Sequence, residues 1–334
     1  MEQNKAGLLA PDRVRTLVVG TRGSKLALWQ TNWIIARLHA SHPELHVETK
    51  IITTQGDRIQ DRPLQSINND GFFVRELEDA LLGGQIDLAV HSLKDLPHSQ
   101  PEGLTVPIIP GRVDARDALI SKNNLSLEDL PQGAVIGTSS TRRASQLLAV
   151  RPDFKVLPLR GNVDTRMRKL QEGSPENYDA IILAAAGLER LDRAGEITAM
   201  LPFSTMLPAP GQGALAPECR IADSRVLSYL SPLNDPAIQA AVAGEKAFIA
   251  ALGGGCMTPV GCYLEIVEWQ IQGYGYVGSP DGSKVIKVEL AGNWDGSLQA
   301  AKNLGMHLAE MALERGAKQI LDEARAAGYV TERK

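Results

Sequence analysis

The chain has 334 residues, of which 43% are hydrophobic, and a chain of this length and apolar content is expected to fold into two or three domains. It carries 35 basic and 39 acidic residues, and only 4% of its residues are aromatic. A nucleic-acid-binding protein would normally present a basic surface with stacking rings, so this composition argues against one. Residues 1–15 contain no signal-peptide core and no apolar run reaches membrane-spanning length, so we predict a cytoplasmic protein without a membrane partner.

The first predicted elements alternate between strands and helices, which is typical of an α/β lobe. A strand at 16–20 precedes a helix with Ser24 as its N-cap, because apolar residues recur after Ser24 with helical spacing. Further strands are predicted at 47–54 and 86–90, and the helix between them, at 72–82, ends at two glycines.

The polar segment 55–71 interrupts this unit and shows neither a helical nor a strand period. It is too long for an ordinary connection, and we predict that it is a mobile lid. Resistance of this segment to limited proteolysis in the free protein would contradict that prediction.

A second unit repeats the alternation from about Arg116, with strands predicted at 118–120, 134–137, 154–159 and 178–184. In both units polar side chains follow the strand ends. Open α/β sheets bind ligands at the carboxyl ends of their strands, where helix N-termini point free N–H groups outward. The residues predicted to meet in one cleft on this basis are Arg22, Ser24, Lys94, Asp95, Thr138, Ser140, Arg142, Arg143, Arg160, Arg166 and Arg190.

The segment 138–169 is unusually rich in arginine for a chain with a net charge of -4. Its arginines are Arg142, Arg143, Arg151, Arg160, Arg166 and Arg168. The rigid fork of guanidinium donors suits pairs of carboxylate or phosphate oxygens, so the segment predicts an anion-binding site. A solvated charged helix face is the alternative, and the placement after strand ends favours the site.

The segment 207–213 is rich in turn residues and predicts a return crossing or a hinge between the units. The order of the predicted elements changes near Pro236. A helix is predicted at 237–252, followed by strands joined by a turn at 279–282 and a long helix at 297–327. The predicted fold is therefore two doubly wound α/β lobes, similar to periplasmic binding proteins and joined by a hinge, plus a small C-terminal α+β domain with an antiparallel sheet. The predicted domains are 13–112 with 212–233, then 113–208, then 236–334.

Asp95 is a candidate for proton transfer or for stabilising a cation, because it follows a strand end beside Lys94. A surface ion pair between the two is the alternative. A hydrolytic triad of His91, Ser92 and Asp95 is disfavoured, since neighbouring residues of one extended segment cannot form the required relay. The sequence contains no phosphate-binding loop and no dinucleotide fingerprint.

The three cysteines form neither a metal-binding pattern nor a disulfide framework, so we predict free thiols and no metal site. Cys256 follows three glycines, whose backbone freedom predicts an exposed thiol available for covalent chemistry. An inert thiol is the alternative there. Cys219 and Cys262 are predicted to be packed.

Several motifs, in this order along the chain, resemble the porphobilinogen deaminase family, also called hydroxymethylbilane synthases. They are TRGSKLAL at 21–28, HSLKDLP at 91–97, GTSSTRR at 137–143, RGNVDTR at 160–166, AAAGL at 184–188, PGQGA at 210–214 and GGC at 254–256. The resemblance extends from about Arg15 past Tyr263, and beyond that point it lies in domain type more than in motif.

This resemblance implies a transferase of haem and tetrapyrrole biosynthesis that joins four porphobilinogen molecules head to tail, with release of ammonia, into hydroxymethylbilane. It also implies a dipyrromethane cofactor joined by a thioether to Cys256, a catalytic role for Asp95, a monomer, and transfer of the product to the next enzyme of the pathway. Each pyrrole carries an acetate and a propionate, which accounts for the arginines. The implied cofactor-binding residues are Cys256, Lys94, Asp95, Ser140, Arg142, Arg143 and Arg166, and the implied substrate-binding residues are Arg22, Ser24, Thr138, Arg160 and Arg190.

Two positions depart from the family pattern. Asp70 stands where many members have a lysine, so a substrate or lid contact of that lysine does not carry over. Gly253 stands where an acidic residue is common, which is expected to change only the flexibility of the loop.

Two other functions are compatible with parts of the sequence. A two-lobed dicarboxylate-binding module or sensor would use the arginines but would leave Cys256 without a role, and the mass of the intact protein distinguishes it from an enzyme with a covalent cofactor. A phosphoryl-transfer enzyme would require a metal-binding set of carboxylates and would be inhibited by chelators.

Overall fold

A computed structural model describes residues 16–55, 74–97, 99–253 and 258–328 of the chain. Two sheet-and-helix lobes precede a small C-terminal domain with an antiparallel sheet, which confirms the predicted fold class. The strands of these ranges are β1 (Leu17–Thr21), β2 (Val47–Ile51), β3 (Leu88–Ser92), β4 (Leu104–Thr105), β5 (Asp117–Ser121), β6 (Val135–Gly137), β7 (Lys155–Leu157), β8 (Ala180–Ala184), β9 (Ala199–Met200), β10 (Leu215–Arg220), β11 (Val260–Val267), β12 (Gln270–Gly278) and β13 (Val285–Asn293). The helices are α1 (Lys25–Ser41), α2 (Arg75–Leu82), α3 (Thr141–Val150), α4 (Val163–Gln171), α5 (Ala185–Glu189), α6 (Ser224–Leu230), α7 (Pro236–Ala251), α8 (Leu298–Glu314) and α9 (Ala317–Ala326). None of the helices within these ranges is long and apolar enough to span a membrane.

The first lobe is built on a five-stranded sheet with the order β2-β1-β3-β10-β4. Strand β1 is parallel to β2 and β3, with Val19 opposite Leu88, whereas β10 runs antiparallel to β3. The side chain of Ser24 accepts a hydrogen bond from the amide of Ala27 at 3.3 Å and caps α1, as predicted. The predicted strand at 47–54 is shorter in the structure and ends at Ile51.

The second lobe repeats this topology with the strand order β7-β6-β8-β5-β9. Strand β6 is parallel to β7 and β8, and β5 is antiparallel to β8. Side chains of Ser140 and Asn162 cap α3 and α4 by accepting hydrogen bonds from Arg143 and Thr165 amides. Because these caps follow the carboxyl ends of strands, the N-termini of both helices lie at the same edge of the sheet.

Strand β10 returns to the first sheet after the second lobe and lies between β3 and β4. No strand is predicted here from the sequence. The reason is that β10 contains Pro217, which cannot donate to a ladder, and the ionisable Glu218, and both residues weaken a strand pattern. Glu218 is nevertheless completely buried.

The C-terminal domain packs α7 and α8 against the antiparallel meander β11-β12-β13. The two helices approach closely at Gly244 and Gly305, where a Cβ atom on Gly305 would lie 2.0 Å from the carbonyl oxygen of Gly244. The prediction of one long helix at 297–327 was wrong. Helix α8 ends at Glu314, and Gly316, with a φ of 96°, turns the chain before α9 begins.

Candidate active site

Strand β3 runs directly into a 3-10 turn, Leu93–Asp95, that carries the first two charged residues of the predicted site. Leu93 is buried, and its amide donates to the carbonyl oxygen of Ala214 at 3.1 Å, so the turn is fixed to the chain just before β10. Asp95 is exposed, and within the described ranges its carboxylate has no hydrogen bond or ion pair. This carboxylate is therefore available to a ligand.

Lys94 is half-buried, and its Nζ donates to Oε1 of Gln212 at 3.2 Å. Burial and the positive charge of Arg143 together lower the pKa of Lys94 to about 8, and the negative charge of Asp95 partly offsets both effects. An ammonium group with one neutral acceptor in such surroundings gains from a nearby anion.

The completely buried carboxylate of Asp117, at the start of β5, organises the arginines of α3. It accepts from Nη1 of Arg142 at 2.7 Å, and from Nε and Nη2 of Arg143 at 3.1 and 2.7 Å. Nε2 of Gln212 donates to the same carboxylate at 2.9 Å. These cations hold the pKa of Asp117 well below its usual range in spite of its burial, so the group is charged at neutral pH.

Sequence reasoning missed Asp117 and assigned Gln212 only to a crossing segment. The available signal for Asp117 was a charged residue at the start of an apolar strand. Its partners lie 25 or more positions away in the sequence, so no local spacing could identify them.

The two neighbouring arginines of α3 differ in what they offer to a ligand. Arg143 donates from Nε, Nη1 and Nη2 to Asp117 and to the carbonyl oxygen of Ile182, so it is held as a fixed charge. Arg142 donates from Nη1 to Asp117 and to the carbonyl oxygen of Leu207. Arg142 also lines a pocket together with Lys94 and Ser140.

Arg160 and Arg166 add two more positive charges, and Arg166 lies within electrostatic range of both Arg143 and Arg160. Nε of Arg166 donates to the carbonyl oxygen of Gly161 at 2.8 Å. Burial and the charges of Arg143 and Arg160 lower the pKa of Arg166 to about 10, while Asp95 acts in the opposite direction. Nη1 of Arg160 is buried and has no hydrogen-bond partner in the described part of the chain. A bound anion would satisfy this nitrogen and remove the cost of burying it without a partner.

The three hydroxyl residues of the predicted site all contribute to local backbone structure. Ser24 and Ser140 cap α1 and α3, and Oγ1 of Thr138 accepts from the amide of Ser140 at 3.2 Å. Each hydroxyl keeps its own proton for donation.

The two remaining predicted arginines, Arg190 and Arg22, directly follow α5 and β1. Nη2 of Arg190 donates to the carbonyl oxygen of Gly213 at 2.6 Å, and its guanidinium lies 5.7 Å from the ring centre of Trp29. Its Nε is buried without a hydrogen-bond partner among the described residues, and burial lowers the pKa of Arg190 to about 10. Arg22 follows β1 and is half-buried.

Two of the six arginines in 138–169 do not belong to this group. Arg151 donates to Asp153 at 2.8 Å and to the carbonyl oxygens of Leu127 and Leu130, and Arg168 is exposed on α4. The solvated-face interpretation is therefore correct for Arg168, and Arg151 has a structural role.

The side chains of His91 and Ser92 contact other residues and not Asp95, as expected. Nε2 of His91 lies 3.1 Å from Oε2 of the buried Glu218, and Oγ of Ser92 accepts from Gln30 at 2.8 Å. No hydrolytic relay is formed by these residues.

The predicted attachment residue, Cys256, lies outside the described residues, as do Asp70 and the greater part of the predicted lid. Cys219 and Cys262 are buried free thiols, which confirms the prediction for both. Burial raises the pKa of Cys219 to about 12, so this thiol is not a nucleophile at neutral pH.

Comparisons with known proteins agree with the resemblance. Residues 17–228 match the family model of the porphobilinogen deaminase dipyrromethane cofactor binding domain, and residues 239–314 match that of the porphobilinogen deaminase C-terminal domain. A porphobilinogen deaminase of Brevibacillus brevis is 49% identical over 91% of this chain and 96% of its own length. Porphobilinogen deaminases of Roseiflexus castenholzii and Syntrophotalea carbinolica are 48% and 47% identical, over 92% and 91% of this chain and 98% and 95% of theirs.

Proposed function

The chain belongs to the porphobilinogen deaminase family, and from this premise we propose how its own residues divide the work of the reaction. The family are transferases of tetrapyrrole biosynthesis that polymerise porphobilinogen into hydroxymethylbilane on a dipyrromethane cofactor. The alternative of a binding module without catalysis is set aside, because the relatives that match over nearly the whole chain are enzymes.

The cations of the cleft fit a cofactor that carries several carboxylates. Lys94 and Arg166 are partly or wholly buried without an ion pair among the described residues, and Nη1 of Arg160 is buried there without a hydrogen-bond partner. Leaving such charges uncompensated costs several kcal/mol each, and bound carboxylates remove that cost. We assign the cofactor's carboxylates to Lys94, Ser140, Arg142, Arg143 and Arg166, and its covalent attachment to Cys256. When bound, the cofactor supplies the pyrrole carbon to which the first substrate is joined.

Asp95 is the proposed catalytic residue. The observation that carries this assignment is its exposed carboxylate, which has no hydrogen bond or ion pair among the described residues and lies close enough to Lys94 and Arg166 to raise the pKa of each. A carboxylate in this position accepts hydrogen bonds from pyrrole N–H groups. It stabilises the positive charge that develops on the substrate ring as ammonia leaves, and it needs no reorganisation during the reaction. The surrounding cations compensate carboxylates, so Asp95 is the group that compensates positive charge.

We assign the binding of the incoming substrate and the growing chain to a second set of residues. Arg160 and Arg190 each have a buried nitrogen without a partner among the described residues, and this supports their inclusion. The set comprises Arg22, Ser24, Thr138, Arg160 and Arg190.

We assign residues 13–112 with 212–233, 113–208 and 236–334 to three domains. The pairing of β10 with β3 supports the return of the chain to the first domain. We further propose a cytoplasmic monomer that passes hydroxymethylbilane to the next enzyme of the pathway. Light scattering of the purified enzyme tests the monomer directly.

Substitution of Asp95 tests the catalytic assignment. Asp95→Ala and Asp95→Asn are expected to keep the covalent cofactor, seen as added mass on the intact protein, and to lose turnover by about a thousandfold, the scale of removing one preorganised charge. Asp95→Glu restores the charge and is expected to retain a trace of activity. Asp192→Asn, an exposed aspartate of α5's C-terminal turn, is the control and should behave as the unmodified enzyme. Near-normal turnover of Asp95→Ala would refute the assignment.

A further inference from the structure

Lys246, on α7 of the C-terminal domain, lines the pocket formed by Lys94, Ser140 and Arg142. It belongs to none of the motifs that identify the site. The pocket therefore receives a cation from each of the three parts of the molecule: Lys94 from the first lobe, Arg142 from the second and Lys246 from the C-terminal domain.

The ammonium group of Lys246 has no hydrogen bond or ion pair within the described ranges. Burial lowers its pKa, and the carboxylate of Glu218 offsets this only in part. The other charges that line the pocket, Lys94 and Arg142, are positive, while the apolar wall includes Ile249 and Val260. Three like charges in one partly apolar pocket repel one another until an anion binds among them.

The position of Lys246 in the chain indicates which part of the cofactor is involved. Thr258 lines the same pocket, so Cys256 lies in the sequence between two pocket-lining residues of the C-terminal domain. A thioether on Cys256 would keep the attached pyrrole ring near this side of the pocket. The carboxylates of that ring are then the anions closest to Lys246.

We propose that Lys246 binds a carboxylate of the dipyrromethane ring next to the thioether and thereby fixes the orientation of that ring. This inference rests on the proposed attachment at Cys256. In this role Lys246 is a positioning residue, because the ring it holds is remote from the end at which substrates are added.

A double-mutant cycle on the intact protein measures the interaction without relying on activity. The melting temperatures of the unmodified enzyme, Lys246→Gln, Cys256→Ser and the double variant are compared, after intact mass has shown which of them carry the cofactor. Loss of the Lys246 charge is expected to lower the melting temperature of the cofactor-loaded protein by about 2–4 °C and to leave the Cys256→Ser protein unchanged or slightly stabilised. Lys246→Arg keeps the charge and should preserve the difference in melting temperature between the cofactor-loaded protein and the Cys256→Ser protein. Lys302 is exposed on α8, and Lys302→Gln should have no effect on either melting temperature.

The outcomes separate this proposal from the one on which it depends. An equal effect of Lys246→Gln in both backgrounds, or no effect in either, refutes a contact with the cofactor. A bare chain mass for Lys246→Gln, with the cofactor retained by Lys246→Arg, supports the proposal because the charge is then needed for attachment. If the unmodified enzyme and Cys256→Ser differ in mass only by the substitution, the attachment at Cys256 is itself wrong.

Discussion

Replacing Asp117 with asparagine tests whether the arginines of the cleft depend on a single buried carboxylate. Asp117 is completely buried and accepts hydrogen bonds from Arg142, Arg143 and Gln212. Asparagine keeps the size of the side chain but removes its charge, and one of its two terminal atoms becomes a donor. Two guanidinium groups that are 5% and 6% exposed would then lack their counter-charge.

Removal of one partner from a buried ion pair destabilises a protein by about 3–5 kcal/mol, because the remaining charge is left uncompensated. Here one carboxylate compensates two arginines, so we expect a loss at the upper end of that range. The contribution is fully present at neutral pH, since the pKa of Asp117 is depressed, and it is lost progressively as the pH falls from the unfolded-state pKa of an aspartate to the depressed folded-state pKa. Asp153→Asn, which removes the partner of the partly exposed Arg151, is the matched control and should cost much less.

Denaturant unfolding at pH 7 measures the loss of stability, and intact mass measures the fraction of protein that carries the cofactor. We expect Asp117→Asn to reduce both, because Arg142 would no longer be held at the pocket and Arg143 would lose its counter-charge. A loss of stability no larger than that of Asp153→Asn, with full cofactor occupancy, would show that Asp117 does not organise the site.

Two further predictions concern regions outside the pocket. Burial and the neighbouring Glu218 raise the pKa of Glu78 from 4.5 to about 7, so the folded protein binds more protons than the unfolded chain between these values and loses stability as the pH rises through them. Glu78→Gln should therefore stabilise the protein at pH 8 by at most about 3 kcal/mol and have little effect at pH 4. Equal denaturation midpoints of the variant and the unmodified protein at pH 8 would contradict this. Gly282→Ala should destabilise the contact of the β12–β13 turn with α3, because its Cβ would lie 2.4 Å from the amide nitrogen of Ala149. Gly316 also has a positive φ, but a Cβ atom there would meet no other atom. Gly282→Ala is therefore expected to lower the melting temperature more than Gly316→Ala does.

The parts of the site that the sequence could predict are those encoded by local order along the chain. Lys94 and Asp95 follow a strand directly, and the cap residue Ser140 indicates the start of the helix that carries Arg142. These signals are local because strand ends and helix caps involve only a few consecutive residues. The residues that balance the charges of these side chains cannot be found in this way. Asp117 is separated from Arg142 by 25 positions, and the contact exists only when β5 and α3 pack together.

Two errors in the fold prediction have different physical origins: burial in the sheet overrode an unfavourable strand pattern, and a glycine in the left-handed region interrupted a helical period. Strand β10 escaped notice because Pro217 and Glu218 are unfavourable strand residues, yet the pairing with β3 and β4 places the segment inside the sheet. The C-terminal helix was predicted as continuous because its apolar period passes through Gly316, where a left-handed φ ends α8. A hydrophobic period reports which face is buried and does not report whether the backbone is unbroken.

The placement of Lys246 follows from its neighbour in α7. Glu245 is completely buried and accepts hydrogen bonds from Nη1 of Arg112 at 2.6 Å and from the amide of Gly211 at 2.7 Å. Both donors belong to the crossing segments between the lobes, and the amide of Leu264 in β11 donates to the same carboxylate at 2.9 Å. The C-terminal domain is thus fixed to the crossings, where the displacement of either lobe in a hinge motion would be smallest. We infer that Lys246, held beside these crossings, would keep its position at the pocket during a hinge motion of the lobes, as our proposal for the attached ring requires.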